Sequence, residues 1–262
     1  MKLSISNIAW SNEHDKEVYH YLKKQGFVGL EIAPTRIFPN DPYSKLQEAE
    51  KFYLNLRNYY KLNISSIQSI WYGKNEMIFG SEEERKQLTE YTKKAIDFAS
   101  VIKCNNLVFG CPRNRMIKDE NYKEIAYSFF SDLASYAKLN KTILSMEPNP
   151  SIYNTNFINY TDEAFKFAKL INSDGFKVNL DLGTIIYNNE DLQIISDNIE
   201  LVNHIHISEP RLALIEKREL HNKLVSILKQ KKYNKYISIE MGKRDNLDEV
   251  KKTIDYIREV FK

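Results

Sequence analysis

The feature that most constrains the fold of this 262-residue chain is an eightfold alternation of two kinds of segment. Short runs rich in β-branched residues are each followed by a longer, charged stretch with helical periodicity. Such alternation is typical of a parallel sheet covered by helices. It predicts an α/β fold, a single (β/α)8 TIM barrel over residues 1–262 with eight parallel strands and outer helices. The runs lie at Leu3–Ile8, Val28–Ala33, Ile64–Ile70, Asn106–Gly110, Thr142–Glu147, Lys177–Asp181, Val202–Ile207 and Tyr236–Glu240.

The helical stretches favour a barrel, and the turn after the first strand argues against the main alternative, a doubly wound open sheet. In Glu82–Val101 the apolar residues recur at helical spacing, and Leu247–Phe261 shows the same pattern after Asn246. Thr161 stands before two acidic residues and an apolar run, which predicts a helix N-cap. A doubly wound open sheet usually has a glycine-rich turn after an early strand, whereas the first run here is followed by Ala-Trp-Ser-Asn-Glu.

The composition is that of a globular protein, and it limits which cellular compartment and which kinds of partner we predict. Of the residues 42% are hydrophobic and 28% charged, and the net charge of +3 is too mild to predict nucleic-acid binding. No apolar run approaches the roughly 20 residues of a membrane span, and the N-terminus lacks the pattern of a secretory signal. The two cysteines, Cys104 and Cys111, do not form a CxxC motif. We therefore predict a cytoplasmic protein with no nucleic-acid or membrane partner, and leave a homo-oligomer open.

Charged residues stand at the ends of the last four predicted strands. In a barrel the catalytic groups come from the C-terminal ends of the strands, and a charge placed after an apolar strand is costly unless it is paired or bound to a cation. Three carboxylates and one imidazole would form a mostly oxygen site suited to one Mn²⁺, Mg²⁺ or Co²⁺ ion, with Zn²⁺ also compatible. These residues are Glu147, Asp181, His206 and Glu240.

The motifs around these residues resemble the xylose isomerase-like superfamily of barrels. This superfamily holds sugar and sugar-phosphate isomerases and epimerases together with AP-site endonucleases. The spacing of the four residues is similar to that of the ketose 3-epimerase branch. The resemblance implies that Glu147, Asp181, His206 and Glu240 bind one divalent metal ion, and that Glu147 and Glu240 are the catalytic acid/base pair. The motifs are Asn7-Ile-Ala-Trp10, Gly29-Leu-Glu-Ile-Ala-Pro34, Glu147-Pro, His204-x-His206 and Ser238-Ile-Glu-Met241.

This donor set suits proton transfer at a carbon beside a carbonyl group. A metal ion that chelates the carbonyl and a neighbouring hydroxyl stabilises the enediolate as its charge develops. One base gives isomerisation by a 1,2-shift, whereas two opposed bases give epimerisation. The sequence therefore predicts a metal-dependent sugar isomerase or epimerase and leaves the choice between them, and the sugar, open.

Two departures from the ketose epimerases bear on the substrate. The histidine that follows the strand-six aspartate by three residues is replaced by Thr184. The glutamate about six residues after the strand-five glutamate is replaced by Asn154, with one residue inserted. In that branch both residues hold hydroxyls of the free sugar, so we expect a different substrate. The loop motifs, such as Glu147-Pro-Asn-Pro150, are more similar to bacterial sugar phosphate isomerase/epimerase proteins.

Basic residues after the strands suggest an anionic substrate, such as a sugar phosphate, a sugar acid or a nucleotide sugar. Arg113 and Arg115 lie in a loop stiffened by Pro112, and arginine offers forked donors to phosphate or carboxylate. We predict that they bind the anion. Other residues near strand ends are predicted to contact the substrate as well, and they are Trp10, Glu31, Gln68, Asn149, Glu209 and Arg211. For Glu31 and Glu209 the alternative of supporting a residue of the site stays open.

Two other functions stay open. The first is an AP-endonuclease-like, metal-dependent phosphodiesterase, although five histidines, of which one or two follow strands, supply few ligands for a three-zinc cluster. The second is a barrel that binds a ligand without catalysis, although four clustered charged residues would then repel one another without a cation. The number of metal ions bound per chain distinguishes the three functions.

Overall fold

The computed structural model describes residues 1–118 and 120–262, and eight parallel strands in it form one nearly closed barrel. The strand order is β1-β8-β7-β6-β5-β4-β3-β2, and a parallel bridge between Ser6 and Glu31 brings β2 back to β1. The predicted (β/α)8 fold is therefore confirmed. The strands are β1 (Lys2–Ile5), β2 (Gly29–Ile32), β3 (Asn63–Ile67), β4 (Leu107–Phe109), β5 (Leu144–Met146), β6 (Phe176–Asp181), β7 (Val202–Ile207) and β8 (Tyr236–Ile239).

Helices follow the strands and cover the outside of the barrel. Their apolar faces pack against the sheet in one buried cluster, as amphipathic helices do. They are α1 (Asp15–Gln25), α2 (Pro34–Ile37), α3 (Leu46–Asn55), α4 (Glu82–Val101), α5 (Tyr122–Leu139), α6 (Thr161–Ile171), α7 (Leu182–Asn188), α8 (Gln193–Asp197), α9 (Glu219–Gln230) and α10 (Leu247–Val260). Within the described residues, no helix is both long enough and apolar enough to cross a bilayer.

The predicted element boundaries are confirmed to within a few residues, with one correction at a helix start. Helix α4 has the predicted bounds, and the Asn246 side chain caps α10 by accepting a hydrogen bond from the Asp248 N–H. Thr161 is the first residue of α6 and not its N-cap, which is Tyr160. The reason is that Glu163 folds back and accepts the N–H groups of the two residues before the helix.

The inside of the barrel is polar, unlike the apolar layer between the sheet and the helices. Asn106, which directly precedes β4, accepts hydrogen bonds from Ser145 on β5 (2.6 Å) and Asn203 on β7 (2.7 Å). Its own amide nitrogen donates to Ser66 on β3 at 2.9 Å. One buried side chain thus cross-links strands on three sides of the barrel, and this network lies beneath the end of the barrel where the charged residues converge.

Candidate metal centre and active site

The structure brings the four predicted metal-binding residues together at the C-terminal end of the barrel. One ligand atom from each of Glu147, Asp181, His206 and Glu240 lies within 4.8 Å of the others, and all four residues are buried. Glu147 directly follows β5, Asp181 ends β6, His206 lies in β7, and Glu240 directly follows β8. Three carboxylates and one imidazole, held this close by a rigid barrel, fit a hard divalent cation, so the cluster could hold a metal ion.

A cavity of about 230 Å³ opens directly above this cluster. Its walls include the side chains of Glu147, Asp181 and Glu240, whereas His206 is fully buried beneath them. A cavity of this size suits a small ligand, because most sites for drug-sized molecules are larger. A ligand in it would contact the carboxylates directly.

Glu147 is held in place by two side-chain amides. Asn179 on β6 donates to Oε1 at 2.7 Å, and Asn149 donates to Oε2 at 3.0 Å. The carboxylate also passes very close to Gly110 at the end of β4, where a Cβ atom would lie 2.7 Å from Oε2. Glycine is therefore required at position 110 if the carboxylate is to keep this place.

Asp181 is held just as firmly by the start of the helix that follows it. Its Oδ2 accepts the N–H of Thr184 at 2.7 Å and lies 2.8 Å from the Thr184 hydroxyl, and its Oδ1 accepts the hydroxyl of Ser208. Burial, reinforced by the charge of Glu147, raises the pKa of Asp181 to about 6. Thr184, at the position where the sequence comparison with the ketose epimerases expects a histidine, is fully buried and orients the Asp181 carboxylate.

His206 connects the cluster to a buried glutamate below it. Its Nδ1 lies 2.9 Å from Glu147 Oε1 and 3.1 Å from Glu240 Oε2, while its Nε2 lies 3.0 Å from Glu31 Oε2. A hydrogen bond from Nε2–H to Glu31 would leave the Nδ1 lone pair directed at the cluster, which is the tautomer that a metal ion needs. Burial opposes protonation, but the carboxylates of Glu240 and Glu31 raise the pKa of His206 well above its usual value.

Glu31 itself lies below the cavity and does not line it. It is fully buried, with His204 Nε2 3.0 Å from its Oε2 and Gln68 donating to its Oε1 at 3.2 Å. Burial raises the pKa of Glu31, but the charges and hydrogen bonds of His206 and His204 outweigh this and lower the pKa overall. The geometry gives Glu31 the place of a support for His206, in contrast to the direct substrate contact predicted from the sequence.

Glu240 is the least constrained member of the cluster. Within the described part of the chain, the only side chain that contacts its carboxylate by a hydrogen bond or ion pair is His206. Burial raises the pKa of Glu240 to about 7, and the neighbouring charges of Glu147 and Asp181 act in the same direction. A carboxyl group with a pKa near neutrality can both accept and release a proton under ordinary conditions.

Three of the eight predicted substrate contacts line the cavity: Gln68, Asn149 and Glu209. Glu209 is almost fully buried and receives a forked pair of hydrogen bonds from Arg218, each 2.7 Å long. Both carboxylate oxygens of Glu209 are therefore engaged by that arginine, which fixes the side chain against the cavity wall.

The three predicted arginines do not line the cavity. Arg115 is fully buried and donates to the Glu147 carbonyl and to the Asn149 side chain. Arg113 and Arg211 are exposed, and each is the chain neighbour of a lining residue, Pro112 or Leu212. Within the described residues, no lysine or arginine is part of the cavity wall.

Trp10 does not line the cavity either, because its ring is packed within the protein. The ring is buried, its Nε1–H donates to Asp15 at 2.8 Å, and the Arg36 guanidinium lies 5.5 Å from its centre. The sequence placed Trp10 correctly near a strand end but could not show that a helix and an arginine cover its ring.

Tyr153 and Leu212 line the cavity but were not predicted from the sequence. The Tyr153 hydroxyl accepts the Arg211 N–H at 2.7 Å, so it joins the loop after β5 to the loop after β7. Tyr153 follows Glu147 by six residues, and it, not Asn154, is the cavity residue at this place. Asn154 is exposed and ends the turn in a left-handed conformation, with φ of 55°. Asn179 was also missed, although it precedes Asp181 by two residues and so shares its face of β6.

The comparisons with known proteins agree with the barrel fold. The family model of the xylose isomerase-like TIM barrel matches residues 19–260, so the chain belongs to that family. Among curated proteins no relative matches the sequence.

Several solved structures share the fold along the whole chain. The 3-keto-D-glucoside 4-epimerase of E. coli is 18% identical with a TM-score of 0.80, covering 99% of each chain. The D-psicose 3-epimerase of Clostridium cellulolyticum H10 is 16% identical with a TM-score of 0.78, covering 100% of each chain. A sugar phosphate isomerase/epimerase of Parabacteroides distasonis is 15% identical with a TM-score of 0.70, covering 98% of this chain and 93% of the other. These structural neighbours are sugar epimerases and isomerases.

Proposed function

We propose that the chain is a divalent-metal-dependent sugar isomerase or epimerase that transfers a proton beside a carbonyl group, through an enediolate. The observation that carries this proposal is the convergence of Glu147, Asp181, His206 and Glu240 within 4.8 Å at the floor of a small cavity. Membership of the xylose isomerase-like family and the sugar epimerases among the structural neighbours support it.

The metal ion would be held by those four residues, and Mn²⁺, Mg²⁺ or Co²⁺ suits the donor set best, with Zn²⁺ also compatible. When bound, the ion supplies stabilisation of the negative charge that develops on the substrate oxygens. Asn179 and Asn149 fix the position of the Glu147 carboxylate, and Glu31 fixes the ring of His206. The donor set is therefore organised before a ligand arrives.

Glu147 and Glu240 are the proposed acid/base pair. They follow β5 and β8, which are not neighbours in the barrel, and both carboxylates line the cavity. A substrate carbon between them would have a carboxyl group available on two sides. Glu240 is the better placed to exchange a proton, because its pKa is raised by burial to about 7 and few hydrogen bonds restrain it.

The part of the substrate inside the cavity is proposed to be an uncharged polyhydroxy carbonyl compound. The amides of Gln68 and Asn149 and the hydroxyl of Tyr153 can bind sugar hydroxyls, and the acidic wall would repel an anion. The predicted anionic group would then lie outside the cavity, near the exposed Arg113 and Arg211. Removing each arginine should weaken the binding of a sugar phosphate and leave a free sugar unaffected.

The proposed reaction is tested by screening free sugars, sugar phosphates and nucleotide sugars in deuterium oxide with Mn²⁺. We expect solvent deuterium at one carbon of the product for the wild type and none for Glu240→Gln. Turnover without exchange of the carbon-bound hydrogen would indicate a hydride shift, and the acid/base roles would then be wrong.

Metal analysis of the purified protein distinguishes the two alternative functions. One divalent ion per chain supports the proposal. Three zinc ions would favour the AP-endonuclease-like phosphodiesterase, and no bound metal would favour a barrel that only binds a ligand. A cytoplasmic location is proposed as well, on the basis of two free cysteines in the structure.

A further inference from the structure

Arg115 is a large charged side chain buried directly behind Glu147, and the proposed reaction gives it no role. It ends the short turn Pro112–Arg115 that follows β4, and it is fully buried. One guanidinium nitrogen donates to the Glu147 carbonyl at 2.9 Å, and another donates to Asn149 Oδ1 at 2.8 Å. Its third neighbour is the Met146 thioether sulfur, at 3.2 Å.

All three partners of this guanidinium are uncharged, which makes its burial costly. A buried cation normally has a carboxylate partner, because taking the charge out of water costs several kcal/mol. Burial lowers the pKa of Arg115 to about 10, so the group stays charged near neutrality. One of its nitrogens, Nε, has no hydrogen-bond partner. A group with these properties contributes little to stability, which points to a role in the site beside it.

Asn149 connects Arg115 to the carboxylate of Glu147. Because arginine has only donors, the amide oxygen of Asn149 must face it, and the amide nitrogen must then face Glu147 Oε2, at 3.0 Å. The backbone of Asn149 is fixed separately by Ile158 and by the side chain of Asn159. The orientation of the side-chain amide is therefore the variable that Arg115 controls.

We propose that Arg115 is a positioning residue that acts through Asn149 to hold the Glu147 carboxylate in the metal-binding cluster, and that it is not a binding site for a substrate anion. This inference rests on the proposed function, since it assumes that Glu147 binds the metal ion. Without Arg115 the Asn149 amide can turn over and present its oxygen to Glu147, which would repel the carboxylate.

The test is calorimetric titration of the purified full chain with Mn²⁺. Asn149→Leu and Arg115→Met should each weaken Mn²⁺ binding roughly 10- to 100-fold, the usual effect of losing a group that orients a metal ligand. The double variant should bind Mn²⁺ little more weakly than Asn149→Leu alone, far short of an additive loss, because the other hydrogen bond of Arg115 is to the Glu147 backbone carbonyl and the carboxylate is contacted by Asn149. Arg115→Lys should restore part of the affinity, since an ammonium group can make one of the two hydrogen bonds.

Arg258→Met is the matched control. Arg258 also donates to a side-chain amide, Gln25 Oε1 at 2.8 Å, but it lies on the outer helix α10. Its loss should leave the affinity for Mn²⁺ unchanged. Circular dichroism shows which variants are folded, and if Arg115→Met is not, Arg115→Lys and Asn149→Leu decide the question.

Three results would overturn the inference: unchanged Mn²⁺ affinity in the folded Arg115 variants, an additive loss in the double variant, or inorganic phosphate binding that Arg115→Lys abolishes. A wild-type protein that binds no Mn²⁺ would instead overturn the proposed function. The two failures are therefore distinguishable.

Discussion

The two sides of the acidic cluster are built differently. On the side of β5 and β6, Glu147 accepts hydrogen bonds from two side-chain amides, and Asp181 accepts the Thr184 N–H and the Ser208 hydroxyl. On the side of β8, the only hydrogen-bond or ion-pair partner of the Glu240 carboxylate among the described side chains is His206. The first side resembles a fixed set of ligands, and the second a group that is free to change its protonation or position.

This difference shows how one cluster can serve both binding and proton transfer. A carboxylate that is fixed by several donors holds a cation in a defined place. It is already oriented before the ion binds, so binding requires no further loss of side-chain freedom. A carboxylate with few partners can move its proton at little cost. The comparison therefore supports the proposal that Glu147 and Asp181 mainly fix the position of the metal ion and that Glu240 mainly exchanges the proton.

The largest expected effect is that of Glu240→Gln on turnover. Glutamine keeps the size and one oxygen ligand but cannot accept a proton, so the rate should fall roughly 10²- to 10⁴-fold. Mn²⁺ affinity should fall less than in His206→Ala, which deletes a ligand. Steady-state kinetics and calorimetry measure the two effects. A variant with normal deuterium exchange would show that Glu240 is a ligand only.

Glu31→Gln should affect both sides of the cluster. Glu31 supports the ring of His206, and that ring contacts both Glu147 and Glu240. The amide can present its nitrogen to His206 Nε2, and this would favour the tautomer with a proton on Nδ1. We expect Mn²⁺ affinity to fall roughly 10- to 100-fold. Calorimetry measures the loss, and an unchanged affinity would mean that the barrel wall alone orients the ring.

The pH dependence of metal binding should distinguish Glu240 from Asp181, because the two carboxyl groups take up protons at different pH. Burial raises the pKa of Glu240 to about 7 and that of Asp181 to about 6, so in the metal-free protein both become protonated as the pH falls. A metal ion must displace these protons in addition to the proton on His206, whose pKa is raised well above its usual value, and its affinity should fall about tenfold per pH unit for each proton displaced. Calorimetric titrations with Mn²⁺ at about pH 8 to about pH 5, a range that spans both pKa values, test this dependence. In Glu240→Gln the step near pH 7 should disappear.

The smallest expected effect is that of Thr184→Val. Asp181 would lose contact with one hydroxyl but keep the Thr184 N–H and the Ser208 hydroxyl, so Mn²⁺ affinity should fall less than about tenfold. Ser238→Ala on β8 is the matched control, because the buried Ser238 hydroxyl has no hydrogen-bond partner. A larger loss in the control than in Thr184→Val would contradict the asymmetry of the cluster.

The sequence predicts the strands and the four-residue cluster because both depend on local pattern. Asp181 and His206 end or nearly end their strands, and alternation along a strand decides which side chains point inward. The arginine predictions depend on loop conformation, which strand periodicity does not describe. Arg113 and Arg115 are two residues apart in one short turn, yet one is exposed and the other fully buried.

Contacts between loops could not be predicted from the sequence either. Tyr153 reaches the backbone of Arg211, 58 positions further along the chain. Neither residue carries a pattern that indicates this contact. Tyr153 and Asn154 are neighbours in one turn, yet the side chain of Tyr153 lines the cavity and that of Asn154 is exposed, a difference that strand periodicity does not describe.

The hydrogen bonds of Asn106 have a consequence for how the barrel can form. Its side-chain partners on β3, β5 and β7 lie 40, 39 and 97 positions away along the chain. A fragment that ends before β5 lacks both donors to the Asn106 oxygen, so it must either hydrate this group or bury it unpaired at a cost of about 1–3 kcal/mol. Half-barrels of this chain should therefore be poor folding units. Because contacts so distant in sequence form slowly, we expect the interior to close late and the eight strands to become native together.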